Sequence, residues 1–292
     1  MTTTTTARPA TADAPDLTAD GHLLQVEGLE VTFQTYRGPV VAVRDVGFHV
    51  DPGEIVGLVG ESGSGKTMSA RAALGLLPAG GRVTAGAIGF GGTDIVGAGP
   101  AQLAAVRGAG MAMVFQNAKA SLNPCMRIGA QIAEAHRARH GGGRGAAQEV
   151  VIDLLQRVGI SRPAERAKAY PHELSGGMCQ RVAIAITLAC SPRLLIADEP
   201  TTGLDVTIGT EVMNLLTRIR EQEGLAVLVI THDLGMVARY CDRVVVMSDG
   251  RVVETGQVRQ IFDAPAEPYT AKLLSETIGS RRFRSARDGE AA

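Results

Sequence analysis

The sequence contains no tryptophan, and aromatic residues make up only 3% of it, so it offers no stacking platform of the kind that grips single-stranded nucleic acid. Formal net charge is −1, which gives no overall basic field to draw in a polyanion. The four cysteines, Cys125, Cys179, Cys190 and Cys241, form no C-x-x-C pair. They read as reduced thiols rather than a metal site or a disulfide framework. No H-E-x-x-H spacing occurs among the histidines. No apolar run approaches the roughly 20 residues needed to span a bilayer. The Thr-rich N-terminus lacks the apolar core of a secretory signal. No internal repeat is visible, so the chain carries one copy of its fold.

What is present is a chain of 292 residues, 45% hydrophobic and 20% charged, the balance of a soluble globular protein with room for about two domains. It is organised around Gly60-Glu61-Ser62-Gly63-Ser64-Gly65-Lys66-Thr67, which meets the pattern G-x-x-x-x-G-K-[ST] at every fixed position. The preceding run Glu54–Val59 reads as a buried strand, and Met68–Leu77 as a helix stopped by Pro78. Strand, glycine loop and helix form the context that a phosphate-binding loop requires. Glycines let backbone N–H groups turn inward around phosphates, and the helix start adds roughly half a positive charge. In such a loop Lys66 reaches the β- and γ-phosphates and the Thr67 hydroxyl sits on Mg²⁺.

Residues 1–20 are Thr, Ala, Asp and Pro with little to bury, and read as a disordered tail. From Leu24 to Phe33 apolar and polar residues alternate, the mark of a half-buried strand. Val40–Val43 and Val46–Val50 read as two further strands, with Gly38-Pro39 and Asp51-Pro52-Gly53 as turns. A small antiparallel β-layer thus precedes the glycine loop. Tyr36, in its first loop, either caps that layer or stacks on a nucleotide base. Ala87–Phe90 and Met111–Phe115 are short apolar strands, the second followed by Gln116. That glutamine is either polar punctuation or a ligand for a metal or water. Residues 117–189 read as mostly helical, with helices over Ile128–Arg139, Gln148–Val158 and Gln180–Ala189. Leu174-Ser175-Gly176-Gly177-Met178-Cys179-Gln180-Arg181 opens the last of these, either as an ordinary cap by Ser175 or as a second anion site.

Leu194-Leu195-Ile196-Ala197 runs into Asp198 and Glu199, placing two carboxylates at a strand's C-terminal edge, where open α/β sheets bind ligands. Asp198 suits the Mg²⁺-holding role found in P-loop proteins, and Glu199 is placed to polarise a water aimed at a γ-phosphate. Ala226–Thr231 repeats the logic and ends at His232, either structural or a partner of the γ-phosphate. Gly203-Leu204-Asp205 turns into the helix Val206–Glu221, and Arg243–Glu254 reads as a hairpin about Asp249-Gly250.

In order, Gly60–Thr67, Gln116, Leu174–Arg181, Leu194–Glu199, Gly203-Leu204-Asp205 and His232 resemble the Walker A, Q-loop, signature, Walker B, D-loop and H-switch motifs of ABC ATPases. The resemblance covers roughly residues 22–262 and implies a P-loop NTPase α/β core with an antiparallel β-subdomain and an α-helical subdomain at about 117–190. It implies ATP and Mg²⁺ as cofactors, with Thr67, Gln116 and Asp198 organising the metal, and Glu199, His232 and Gln116 serving catalysis. It also implies a head-to-tail dimer with a second ABC ATPase subunit, in which Ser175, Gly176, Gly177 and Asp205 serve the partner's nucleotide.

The stretch Gly256–Pro265 followed by Glu267–Leu274 is similar to the C-terminal extension of dipeptide, oligopeptide and nickel importers, so residues 263–292 are expected to be a truncated version of it. Glu267 stands where many members have His, Cys179 where many have Arg, and no cysteine follows Cys241, so no iron–sulfur cluster is expected. The implied function is ATP-driven uptake of di- or oligopeptides, with nickel or another small solute as the alternative within the subfamily. The chain would sit on the cytoplasmic face of the membrane against two permease subunits, served by an extracytoplasmic binding protein and by no nucleic acid. A soluble ABC ATPase without a permease is the rival. Such proteins usually carry two cassettes, a long coiled coil or zinc-binding cysteines, none of which this sequence has. A guanine-reading Asn-Lys-x-Asp is likewise absent, which argues against a P-loop GTPase. The basic stretch Arg281–Arg287 reads as a solvated end.

Overall fold

The computed structural model describes residues 21–277, so the expected N-terminal tail and the basic stretch Arg281–Arg287 lie outside the described residues. Two sheets carry the architecture. The first is antiparallel, built from β1 (Leu24–Thr35), β2 (Gly38–Val50), β4 (Gly81–Phe90) and β5 (Thr93–Asp94) in the order β2-β1-β4-β5. The second contains β3 (Ile55–Val59), β6 (Met111–Val114), β7 (Leu194–Asp198), β8 (Ala226–Thr231), β9 (Arg243–Ser248) and β10 (Arg251–Gln257) in the order β10-β9-β3-β8-β7-β6. All its neighbours are parallel except the β9–β10 hairpin at one edge. Strands β3, β7 and β8 are buried along their whole length. Their continuous apolar sequences therefore reflect cover on both faces rather than alternation.

The side chains of those strands divide by parity. Leu195, Ala197, Val227 and Val229 enter one core, while Leu194, Ile196, Leu228 and Ile230 enter another. The second core is closed by the antiparallel sheet and by α1 (Lys66–Ala73), through residues such as Leu24, Leu29, Phe48 and Ala70. The first core is closed by helices lying between β6 and β7: α3 (Ala118–Ser121), α4 (Ile128–His140), α5 (Arg144–Arg157) and α7 (Gly176–Leu188), with the short α6 (Pro163–Arg166) outside it. The short α2 (Pro100–Val106) precedes β6. The α8 helix (Val206–Glu223) joins β7 to β8 and presents Val212, Leu215, Leu216 and Ile219 to the same core. A third core packs α9 (Leu234–Tyr240), α10 (Val258–Asp263) and α11 (Pro268–Thr277) against β3 and β9.

Three local expectations differ from the structure. The first hairpin turns at Tyr36-Arg37, and Gly38 and Pro39 already belong to β2, which is one strand of 13 residues rather than two. Helix α1 ends four residues short of the expected Leu77. Gly75 adopts φ +62°, its N–H bonds Ala72 O at 2.9 Å, and Leu76 N–H bonds Arg71 O at 2.8 Å. That pair of bonds is a left-handed glycine cap, and it acts before Pro78 is reached. Helix α7 starts at Gly176 instead of Gln180, because the Ser175 hydroxyl accepts the Met178 N–H at 3.3 Å and draws both glycines into the first turn.

Leu155 is fully buried in the helical core. Truncation to alanine removes its contacts and leaves a cavity, so Leu155→Ala is expected to lower unfolding free energy by about 2–5 kcal/mol. Glu149→Ala on the exposed side of the same helix is expected to stay within about 0.5 kcal/mol. Urea unfolding of the full chain distinguishes them, and equal losses would contradict this packing.

Candidate nucleotide site

Four loops leave the C-terminal ends of neighbouring parallel strands and meet at one edge of the sheet. The glycine loop follows β3, Gln116 follows β6, Glu199 follows β7 and His232 follows β8. The loop passes close under β9. Gly60 has φ +148°, and a Cβ built there would lie 2.0 Å from the Met247 carbonyl oxygen, so no other residue fits. Lys66 is 6% exposed. Its ammonium donates to Gly60 O and Glu61 O, both at 2.8 Å, and to Ser64 Oγ at 3.2 Å. Burial pushes its pKa below that of an ordinary lysine, against the opposing pull of Glu199, Asp198 and Glu61. Gly65 caps α1 without a side-chain acceptor, leaving first-turn N–H groups free for an anion.

Thr67 Oγ1 donates to Asp198 Oδ1 at 2.9 Å. Asp198 is 2% exposed. Burial raises its pKa, the Thr67 hydroxyl and the Arg71 charge oppose the rise, the neighbouring Glu199 adds to it, and Lys66 lowers it again. The Thr67 hydroxyl on the cavity wall and the Asp198 carboxylate behind it form a donor set of hard oxygens that suits Mg²⁺ better than a softer metal, and Gln116 lines the same cavity.

Glu199 carries the local strain. Its φ is +52°, a left-handed conformation that costs a residue with a side chain on the order of 1–3 kcal/mol. Its N–H is held by Ile230 O at 2.8 Å. Its Oε2 accepts from the Thr202 hydroxyl at 2.6 Å, and His232 Nδ1 stands 3.0 Å from Oε1 and 2.9 Å from Oε2. The carboxylate is thereby fixed in direction while facing an open space. That space is a cavity of about 700 Å³ lined by Ala42, residues 62–68, Gln116, Glu199 and His232.

The structure thus gathers Ser62, Gly63, Ser64, Gly65, Lys66, Thr67, Gln116, Glu199 and His232 around one cavity, with Asp198 reaching it through Thr67 and with Gly60 and Glu61 beneath the ammonium. It does not bring Tyr36 there: that ring is 90% exposed on the β1–β2 turn, with the Arg37 guanidinium 5.1 Å from its centroid. Ser175, Gly176, Gly177 and Asp205 are absent from the cavity wall as well. The start of α7 packs on the start of α8 instead: a Cβ on Gly177 would lie 2.6 Å from Ile208, whose N–H the capping Asp205 accepts at 2.9 Å.

Sequence reasoning passed over Ala42, Met68 and Thr202. Thr202 had a signal, a hydroxyl three residues beyond Glu199. Ala42, in an unremarkable strand, had none. His136 and His140, an H-x₃-H pair also passed over, bring their rings to 4.7 Å on α4. His22, His49 and Asp51 place possible ligand atoms within 4.8 Å of one another. However, His22 Nδ1 and Asp51 Oδ1 are only 2.5 Å apart, a hydrogen bond too short for two ligands of one ion. Burial, then Arg243 and His22, lower the His49 pKa against the opposing pull of Asp51 and Glu54.

Known proteins resemble this chain in sequence and fold. A family model described as ABC transporter matches residues 43–202. The dipeptide transport ATP-binding protein DppD of Escherichia coli (strain K12) is 47% identical over 252 residues, 86% of this chain and 77% of the relative. The oligopeptide transport ATP-binding protein OppD of Bacillus subtilis (strain 168) is 46% identical over 254 residues, 87% of this chain and 71% of the relative. A dimeric post-hydrolysis state of the ATP-binding cassette MJ0796, bound to ADP and Pi, superposes with a TM-score of 0.72 at 26% identity, covering 81% of this chain and 99% of that one. With its glycine loop, paired carboxylates and strand-end histidine on one sheet edge, the chain belongs to the ABC transporter family and carries its ATPase cassette.

Proposed function

We propose that this chain is the ATP-hydrolysing subunit of a di- or oligopeptide importer, held against the cytoplasmic face of a membrane by two permease subunits. The observation that carries the hydrolytic part is the fixed Glu199 carboxylate, clamped by Thr202 and His232 one residue beyond the Asp198–Thr67 pair. The peptide cargo rests on the relatives, which are named for dipeptide and oligopeptide transport. Among the described residues no helix is long and apolar enough to cross a membrane, which fits a subunit that docks on a permease rather than one that spans the bilayer.

In the proposed mechanism the glycine-loop amides and Lys66 bind the phosphate chain. Thr67, Asp198 and Gln116 would hold Mg²⁺, which would supply positive charge against the phosphate chain. Glu199 accepts a proton from water as the water oxygen bonds to the γ-phosphorus. The bond from that phosphorus to the β–γ bridging oxygen breaks, and ADP and phosphate leave. His232 keeps the carboxylate aimed, with its Nδ1–H donating to Glu199, while its other ring nitrogen accepts a hydrogen bond from water or, with the ring protonated, donates one to the γ-phosphate. Fixing these groups before the reaction matters because a site already oriented pays little reorganisation in the transition state.

A second cassette completes each site in this reading, with Ser175, Gly176, Gly177 and Asp205 facing the partner's nucleotide. Their separation from this chain's own cavity supports that assignment.

Glu199→Gln is expected to bind ATP normally and to lose turnover by about 10²–10⁴-fold, measured as phosphate release alongside nucleotide titration. Retained turnover would place the base elsewhere. Lys66→Ala is expected to lose ATP affinity itself, since it removes the cation beneath the phosphates, and an unchanged dissociation constant would refute that role. Chelating divalent cations is expected to stop hydrolysis and added Mg²⁺ to restore it, whereas full activity in chelator would exclude the Thr67–Asp198 metal site.

A further inference from the structure

The C-terminal helices reach the nucleotide loop. Tyr269, in the first turn of α11, accepts a hydrogen bond from the Glu61 backbone N–H at 3.4 Å. That N–H belongs to the peptide group joining Gly60 to Glu61. The carbonyl oxygen of the same group, Gly60 O, receives the Lys66 ammonium at 2.8 Å. A peptide group is a rigid plane, so the phenol anchors one edge of a unit whose other edge holds the lysine. Tilting that plane moves both contacts together. Gly60, with no Cβ, sets little resistance of its own to such a tilt.

Tyr269 is itself held from two sides. The Glu254 carboxylate on β10 accepts the Ala266 N–H at 2.8 Å and the Glu267 N–H at 3.3 Å, pinning the chain where it enters α11. The apolar face of α11 joins a core that contains Val59, the last residue before the glycine loop, and Leu234, two residues beyond His232. Tyr269 packs against this core through its ring. The extension therefore shares a core with the strand that ends in the loop and with the helix that follows the histidine, and it bonds the loop peptide under Lys66.

We infer that Tyr269 is a positioning residue for ATP: through the Gly60–Glu61 peptide it sets the place of the Lys66 ammonium and links the seating of α11 to nucleotide affinity. The inference rests on the assignment of Lys66 to the phosphates. It makes no contact between Tyr269 and nucleotide necessary. Because linkage between two equilibria is reciprocal, ATP binding must strengthen the docking of α11 by the same factor that α11 strengthens ATP binding.

The test uses the full chain with Tyr269→Phe, which keeps the ring in its core and removes only the acceptor. Loss of one exposed hydrogen bond is expected to raise the dissociation constant and KM for ATP roughly three- to tenfold, with kcat and the nucleotide-free melting temperature unchanged. Glu254→Gln is expected to raise KM in the same direction, and the double variant to add nothing to the larger single effect. Amide exchange over residues 268–277 is expected to slow on ATP addition in the unaltered protein and not in Tyr269→Phe. Unchanged affinity in folded Tyr269→Phe, or additive single effects, would overturn the inference while leaving the ATPase reading intact. A KM rise that merely tracks a fall in melting temperature would reduce the tyrosine to a structural role. If Lys66→Ala also keeps full ATP affinity, the lysine assignment has failed and the tyrosine inference falls with it.

Discussion

The ammonium of Lys66 is a charge taken almost wholly out of water, and much of the surrounding structure exists to make that tolerable. A lone buried cation would cost several kcal/mol or would lose its proton. Here two carbonyls and a hydroxyl replace the lost water directly, and two carboxylates, Asp198 and Glu199, supply the opposing field. That arrangement forces the loop to fold back on itself, which in turn demands glycine at position 60, where the Met247 carbonyl leaves no room for a Cβ. Asp198 suffers from the burial that traps the lysine and is relieved by the Thr67 hydroxyl from the next residue of the loop. Cation, anion and hydroxyl thus form one mutually dependent set, placed where a nucleotide's phosphates add the charge that the set can receive.

Glu199 follows from a different constraint. Strand β7 must end at Asp198 to meet Thr67, and the chain must then turn sharply to reach α8. The turn puts Glu199 in the left-handed region. Its backbone N–H is tied to β8 through Ile230, and its side chain is tied to Thr202 and His232. Strain of this size persists only where the surroundings over-determine it. The gain is a carboxylate that projects from the sheet edge with its direction fixed by two neighbours. A relaxed turn would leave it free to swing into solvent.

The sequence exposed the repeated device of an apolar run ending in a polar residue, because a strand buried on both faces has to be written in consecutive apolar residues. Val59, Val114, Asp198 and Thr231 all end such runs, and the site residues next to them were legible for that reason. What was not legible depends on geometry that no short window contains. Gly38-Pro39 looks like a turn, yet the hairpin closes at Tyr36-Arg37 because pairing with β1 continues to Gly38. Tyr36 could be read from the sequence either as a cap on the β-layer or as a base-stacking ring, and only the fold shows that it stands exposed on that turn. The strain at Glu199 hides in an ordinary acidic residue before proline. The contact between Tyr269 and Glu61 joins residues 208 apart, and no local pattern could connect them.

The position of β3 explains why distant parts of the chain can act on one loop. Four of its five residues are divided among the three cores. Ile55 enters the helical core, Val56 and Leu58 enter the core beneath the antiparallel sheet, and Val59 enters the core made by the C-terminal helices. Close-packed interiors transmit displacement rather than absorbing it. A shift of the helical part, of the antiparallel layer or of the C-terminal helices therefore bears on the same strand, and that strand leads directly into Gly60. The glycine loop is the common end of three packing problems. The Lys66 ammonium, fixed by that loop's carbonyls, is the point at which their combined solution meets the phosphates.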